Sequence, residues 1–230
     1  MIKSLDRSSS RLNDKRQSLV NIGTALFTQK GFGSTGLDEI VQAADVPKGS
    51  FYYYFESKDV YAHAVIRNYA AYFARKLDRT LDDETLSPLA RLRAFAADAT
   101  DGVLRFAFKR GCLVGNLGQE MATLEEDFRV LLLEVLNTWR ERFRDCIEEA
   151  RRVGEIATPI DSASLARFFW SAWEGALLCA KLERSTVPLD NVSRLFFDHL
   201  LMPVTPSASE PQHALPDAPS GTFESPTTPR

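Results

Sequence analysis

Between Lys15 and Leu201 the apolar residues of this chain return at every third or fourth position, and no stretch alternates them singly as a half-buried strand would. Leu19, Ile22, Gly23 and Leu26 make the first such stripe, which closes at Lys30-Gly31, where glycine suits the left-handed position beyond a helix end. Thr35 reads as the cap of a short second helix with the stripe Leu37, Ile40, Val41 and Ala44, and Asp38 stands three residues on as its capping-box partner. Asp45-Val46-Pro47 is a tight turn, with Pro47 well placed to open a third helix from Lys48 to about Tyr54. Ser57 caps a long fourth helix that runs to about Arg79. Helical segments follow at 88–109, at a glycine-interrupted 111–121, and at 124–152, 161–184 and 189–201. With no glycine fingerprint of a dinucleotide fold, the spacing predicts an all-α protein.

The later helices differ in their faces. In 124–152, Phe128, Leu132, Val135, Trp139, Phe143 and Cys146 form one narrow stripe opposite charged positions, so one side is solvated. In 161–184 apolar residues go nearly all round, which predicts cover on both sides, by the chain's own core and by a second body. Leu189, Val192, Leu195, Phe196, His199 and Leu200 follow, giving two helices able to pair with those of a second copy. Residues 1–13 read as a loose basic arm. Residues 203–230 hold seven of the eleven prolines and read as a disordered tail, too poor in apolar surface to offset its ordering entropy.

Composition narrows the functional classes. No apolar run approaches the roughly 18 residues of a membrane span, and the N-terminus lacks the apolar segment of a signal peptide. Cys112, Cys146 and Cys179 are spaced too widely for a disulfide framework or a zinc site. The expectation is a cytoplasmic protein with free thiols, no metal, no cofactor and no membrane partner. Residues 1–58 carry a net charge of +2 and the remainder −5. That balance excludes broad coating of nucleic acid and leaves room for a small basic contact face.

Three short helices, the second and third joined by a tight turn, describe a helix-turn-helix unit. The stretch GFGSTGLDEIVQAADVPKGSFYYYFESKDVYAHAV resembles the N-terminal DNA-binding domain of TetR-family transcriptional regulators, over about residues 15–62. The resemblance implies a helix-turn-helix domain at 14–60, then a helical ligand-binding and dimerisation domain at 61–202. It implies contact with double-stranded operator DNA from Thr35, Lys48, Gly49, Ser50, Tyr52, Tyr53, Tyr54 and Lys58. The residue chemistry agrees. Gly49 and Ser50 are small enough for close approach, and the tyrosines offer hydroxyls for phosphates and rings for thymine methyls. Phe51 and Phe55 point inward as anchors, and Tyr53 reads as half core. Pro47 departs from the family, which usually has Ser there. DNA geometry asks for a homodimer, because two recognition helices must stand about 34–36 Å apart.

The family resemblance also implies a small-molecule inducer bound between the long helices, with Phe106, Trp139, Phe143, Phe169 and Trp173 as candidate lining. Each of those aromatics suits plain core better than ligand contact. His63 and His199 read as structural or solvated. Glu120 and Glu174 are candidate acid–base groups, but no partner constellation accompanies them, so no catalytic residue is assigned and the chain does not read as an enzyme. The segment Lys109–Glu120 carries three glycines, Gly111, Gly115 and Gly118, which break helical pattern and permit close backbone approach. Its Gly-Cys-Leu-Val-Gly-Asn-Leu run resembles an electrophile-responsive, NemR-like branch of the family, as does Trp173-Glu174-Gly175-Ala176. That resemblance implies ligand contacts at Cys112 and Asn116. Cys112, beside Lys109-Arg110 and before a short helix, is expected to have a lowered pKa and to act as a sensing thiol. The alternatives are a structural Cys112 with a non-covalent inducer, a helical enzyme carrying an appended helix-turn-helix, or an architectural DNA binder. Cys146 and Cys179 read as buried packing residues.

Overall fold

The computed structural model describes the backbone of residues 2–204 and the side chains of residues 13–204. Among the described residues the chain is helical throughout: α1 (Ile2–Lys30), α2 (Leu37–Ala43), α3 (Lys48–Tyr54), α4 (Lys58–Leu81), α5 (Pro88–Arg105), α6 (Leu113–Met121), α7 (Glu126–Arg152), α8 (Ser162–Glu183) and α9 (Val187–Arg194), which runs on into a π-helical turn at Leu195–Leu200. The backbone of 2–12, expected as a loose arm, continues α1, since neither glycine nor proline interrupts it. Of the tail expected from residue 203, residues 205–230 lie outside the described residues. Pro203 and Val204 are held to the body, where the Ala157 amide donates to the Met202 carbonyl at 3.1 Å and the Val204 amide to Glu155 at 2.8 Å.

Several helix ends follow local rules. Ser57 Oγ accepts from the Val60 amide at 3.1 Å, and Asp161 Oδ1 accepts from Ser164 at 2.9 Å. Pro88 opens α5 behind Ser87. Thr35 corrects an expectation. It is not a cap: Gly36 holds that position without a side-chain bond, and the Thr35 hydroxyl donates instead to the Gly31 carbonyl at 2.7 Å. Asp38 is left to pair with Lys48 across the turn. The turn itself closes with the Val46 amide on the Val41 carbonyl at 3.1 Å and Asp45 at a φ of 51°, which Asp tolerates better than bulkier residues.

Helix α3 is seven residues long, too short to persist alone. It is pinned by Phe51 and Phe55, both buried against Tyr61 of α4, each burial stabilising by about 1.5–3 kcal/mol. Tyr61 in turn donates its hydroxyl to the Leu19 carbonyl of α1 at 2.8 Å. Helix α4 crosses residue 60/61, the boundary expected between the domains, and belongs to both. In the body, α4, α5, α7 and α8 close around an aromatic core of Phe73, Phe95, Trp139, Phe143 and Trp170, with Trp139 and Trp170 rings 5.0 Å apart. Phe169 extends it to Phe196 and Phe197 of the π turn.

Two expectations about the outer helices change. Phe196 is 1% exposed and belongs to the protomer's own core, as does Leu189. Cys179, expected buried, is exposed on the outer side of α8. Phe168, Leu178 and Leu182 share that side with it at helical spacing, Leu182 being 77% exposed, and Leu195 of the π turn is also open. The all-round apolar character of α8 therefore divides into a buried face and an uncovered one.

Candidate functional site

The outer face of α3 carries the exposed residues of the helix-turn-helix. Tyr52 and Tyr53 are 56% and 70% exposed, Gly49 is open and Ser50 half-buried. Tyr54, not Tyr53, is the half-buried tyrosine, packed edge-on against Tyr53. Lys48 Nζ lies 2.7 Å from Asp38 Oδ1, whose hydrogen bond and charge raise the lysine pKa. Two residues expected on this face stand elsewhere. Thr35 is wholly buried, its hydroxyl already used. Lys58 turns inward: Nζ donates to the Phe32 carbonyl at 2.8 Å and sits 4.0 Å from the centre of the Phe32 ring, and this burial lowers its pKa. The α3 face is thus small, convex and aromatic, with hydroxyls and a helix start to offer a phosphate-bearing groove.

Behind it lies a cavity of about 720 Å³ between α1, α4, α5, α8 and the start of α6. Of the expected lining residues, Phe106, Cys112 and Trp173 face it. Trp139, Phe143 and Phe169 do not; they are consumed in the aromatic core. Asn116 also does not, because its Nδ2 donates to the Phe27 and Thr28 carbonyls at 3.0 Å each, adding a second donor to each at the end of α1. The remaining walls include Tyr69, Tyr72, Phe73, Arg75 and Lys76 of α4, Val103 and Arg105 of α5, Arg110 of the α5–α6 link, Trp170 and Glu174 of α8, and Asn21, Thr24 and Thr28 of α1.

Cys112 sits at the N-cap of α6 and is 7% exposed. Its surroundings correct the expected lowered pKa. Burial and then the Glu174 carboxylate push the thiol well above 9, and these outweigh the helix-start hydrogen bond from Gly115, which acts the other way. The neighbouring cations fail to help: Lys109 is exposed, and the Arg110 guanidinium stacks 4.1 Å over the Phe106 ring. Glu174 and Tyr69 line the same cavity as the thiol, and Glu174 Oε2 and the Cys112 Cβ both lie against Gly115. Burial raises the Glu174 carboxyl to about 7 and Tyr69 well above 10. Glu174 was visible in the sequence only as a carboxyl without a partner, because its partners lie on α4 and α6.

Helix α6 ties this cavity to the DNA-facing unit. Glu120 Oε2, in its last turn, accepts from the Phe32 and Gly33 amides at 2.9 and 2.8 Å. Gly31, at a φ of 85°, lies so close that a Cβ there would stand 1.6 Å from Glu120 Oε1. The Gly111 amide donates to the Thr28 carbonyl at 2.8 Å. No sequence signal marks Glu120 as a tether, since its donors are 87 and 88 positions away.

A helix-turn-helix whose short third helix is offered to solvent, mounted on a helical body, defines a class of DNA-binding protein. Residues 19–65 match the model of the bacterial regulatory proteins of the tetR family, and residues 88–196 match that of the Tetracyclin repressor-like C-terminal domain. The chain is 49% identical over 185 residues to the transcriptional regulator AcuR of Cereibacter sphaeroides, covering 80% of this chain and 84% of that one. It is 34% identical over 186 residues to the repressor DhaR of a Mycobacterium species, covering 81% and 92%. To the repressor NemR of Escherichia coli it is 32% identical over 180 residues, covering 78% and 90%. The solved regulatory protein TetR from Rhodobacter sphaeroides superposes with a TM-score of 0.77 at 50% identity, over 80% of this chain and 97% of that one. The protein belongs to the TetR family of bacterial transcriptional regulators. No helix among the described residues is long and apolar enough to cross a membrane.

Proposed function

We propose that this protein is a cytoplasmic, homodimeric repressor whose two α3 helices read an inverted-repeat operator, released when a small molecule occupies the cavity beside Cys112. The observation that carries this reading is the course of α6. It starts at the cavity with Cys112 and ends about 12 Å away, at 1.5 Å per residue, with Glu120 on the turn that leads into the helix-turn-helix. An occupant that shifts α6 shifts the seat of the DNA-reading unit, and so favours a half-site spacing that the operator does not match. Typical coupling of ~1–3 kcal/mol corresponds to roughly 5–150-fold in operator affinity.

The uncovered apolar side of α8, with Phe168, Leu178 and Leu182, supports the dimer. Gly49, Ser50, Tyr52 and Tyr53 are the principal DNA contacts, and Lys48 exchanges Asp38 for a phosphate. Tyr54 packs against Tyr53, and Lys58 fastens the start of α4 to the turn between α1 and α2. The inducer is an electrophile that adds to Cys112, a reading supported by the thiol on the cavity wall. A gel-shift titration with the DNA upstream of its own coding sequence tests the whole. Lys48→Ala and Tyr52→Phe weaken binding while sedimentation still shows a dimer. N-ethylmaleimide releases the wild-type complex and spares Cys112→Ser. Binding no tighter than to random DNA would refute the regulator reading. Release undiminished in Cys112→Ser would leave a non-covalent inducer.

A further inference from the structure

We propose that Glu174 is the proton acceptor through which the neutral Cys112 thiol adds to an α,β-unsaturated carbonyl compound. This rests on the covalent reading of the cavity and supplies what that reading lacks. A thiol attacks as thiolate, yet Cys112 is buried and held far from ionisation. Its proton must therefore leave as the new bond forms, to a base already in contact with it.

The groups facing the thiol leave one candidate. From α4 come Tyr69, Arg75 and Lys76, from α5 Arg105, from the α5–α6 link Arg110, and from α8 Glu174 and, beside Gly111, Lys181. Arginine and lysine cations have no lone pair to take a proton. Lys76 is moreover paired with Asp98 at 3.0 Å. Tyr69, its phenol kept protonated by burial, can donate to the product oxygen but cannot accept. Among the described residues lining this cavity Glu174 is the one base, and its Oε2 and the Cys112 Cβ both lie against Gly115.

Two features of Glu174 make sense only in such a role. Its Oε1 lies shut off from solvent on the cavity wall, with no hydrogen-bond partner among the described residues. A buried carboxylate oxygen without a partner is costly, and the cost is recovered when an occupant or a proton meets it. Its other oxygen lies against Gly115, where a Cβ would stand 2.3 Å from Oε2. Gly115 lies in the first turn of α6, and any side chain there would displace the carboxylate. The gap lets the carboxylate lie against the thiol. Burial holds the carboxyl at about 7, so it is part ionised at neutral pH and poised to exchange a proton.

The step balances without a further reactant. Cys112 Sγ bonds to the β-carbon, the C=C electron pair moves toward the carbonyl as an enolate, and the S–H proton passes to Glu174. Glu174 then returns that proton to the α-carbon, regenerating its carboxylate. The net change is addition of S–H across the double bond.

The test is the pH dependence of Cys112 alkylation in the full-length protein. N-ethylmaleimide is the probe, with peptide mapping by mass spectrometry to isolate Cys112 from the other thiols. In wild type the rate rises about tenfold per pH unit below 7 and bends to a plateau above it, following Glu174 ionisation. Glu174→Gln lowers the rate at pH 7 by about 10²-fold and removes the bend, leaving a rate that climbs on toward the thiolate range. Glu174→Asp keeps a bend with a slower plateau, which separates base from packing loss. A wild-type profile without the bend, or a Gln variant as fast as wild type, overturns the proton-acceptor role while leaving covalent sensing in place. Cys112 unmodified at every pH overturns the covalent reading and this proposal with it. Alkylation with the bend but without operator release upholds the base and removes the sensing role.

Discussion

Replacing Glu120 with Ala removes the carboxylate that joins α6 to the turn between α1 and α2. Its Oε2 takes two backbone amides, Phe32 at 2.9 Å and Gly33 at 2.8 Å, and its charge partly offsets the burial that lowers the Lys58 pKa. Hydrogen bonds to a charged group contribute about 1.5–3 kcal/mol each when protected. Here the Gly33 bond is at the surface, so water replaces it at small cost, and the Phe32 bond is part-buried. The net loss is then about 2 kcal/mol for Glu120→Ala, and about 1 kcal/mol for Glu120→Gln, which keeps a neutral acceptor. The loss falls on local opening of residues 31–35 rather than on global unfolding. Native-state hydrogen exchange reads it directly: protection of the Phe32 amide drops about 30-fold in the Ala variant, because each 1.4 kcal/mol is tenfold. Operator affinity becomes less responsive to inducer at the same time. The exposed neighbour Gln119→Ala is the control and changes neither. Phe32 protection within twofold of wild type in Glu120→Ala would refute the tether.

Gly31→Ala meets both a φ of 85° and Glu120 Oε1, so it costs more than 2 kcal/mol and lowers the melting temperature by several degrees; a melting curve matching wild type would show that the turn relaxes freely. Leu178→Arg, on the uncovered side of α8, gives folded monomers in sedimentation, whereas Phe196→Arg, in the core, unfolds the protomer; dimers at full strength in Leu178→Arg would move the interface elsewhere. Glu174 binds its proton more tightly folded, at about 7, than at its ordinary 4.5, so it stabilises the fold below pH 4.5 and that contribution is lost as pH rises through 7. Glu174→Gln therefore gains stability relative to wild type between about pH 4.5 and 7, and denaturant midpoints of the two that stay parallel across this window would contradict the buried carboxyl. Lys58→Ala destabilises the helix-turn-helix through loss of the Phe32 carbonyl contact, read as a lower melting temperature and not only as a shallower salt dependence of DNA binding.

Much of this molecule was legible along the chain because it is decided within a turn or two of helix. The stripe Leu19 to Leu26, the Ser57 cap, the inward pair Phe51 and Phe55, and the short third helix all depend on neighbours three or four residues away. The exposure of Tyr52 opposite the anchors followed from the same local rules, whereas Tyr53, expected as half core, is 70% exposed. Local reasoning failed where a side chain's partner is remote. Thr35 has the composition of a cap but spends its hydroxyl on Gly31, because the chain bends back there. Phe106 and Phe143 are both aromatic, yet only the packing of α5 against α7 and α8 decides that one borders a cavity and the other fills a core. Cys112 follows two basic residues in sequence, but its pKa is set by burial and then by Glu174 on α8, and the sign of the shift reverses. Sequence by itself determined the helices, their order and the exposed reading face, since 3.6-residue periodicity and capping are short-range. Only the tertiary structure decided the cavity, the Cys112–Glu174 pair and the grip of Glu120 on the DNA-reading unit, because burial and charge act through space between residues far apart in the chain.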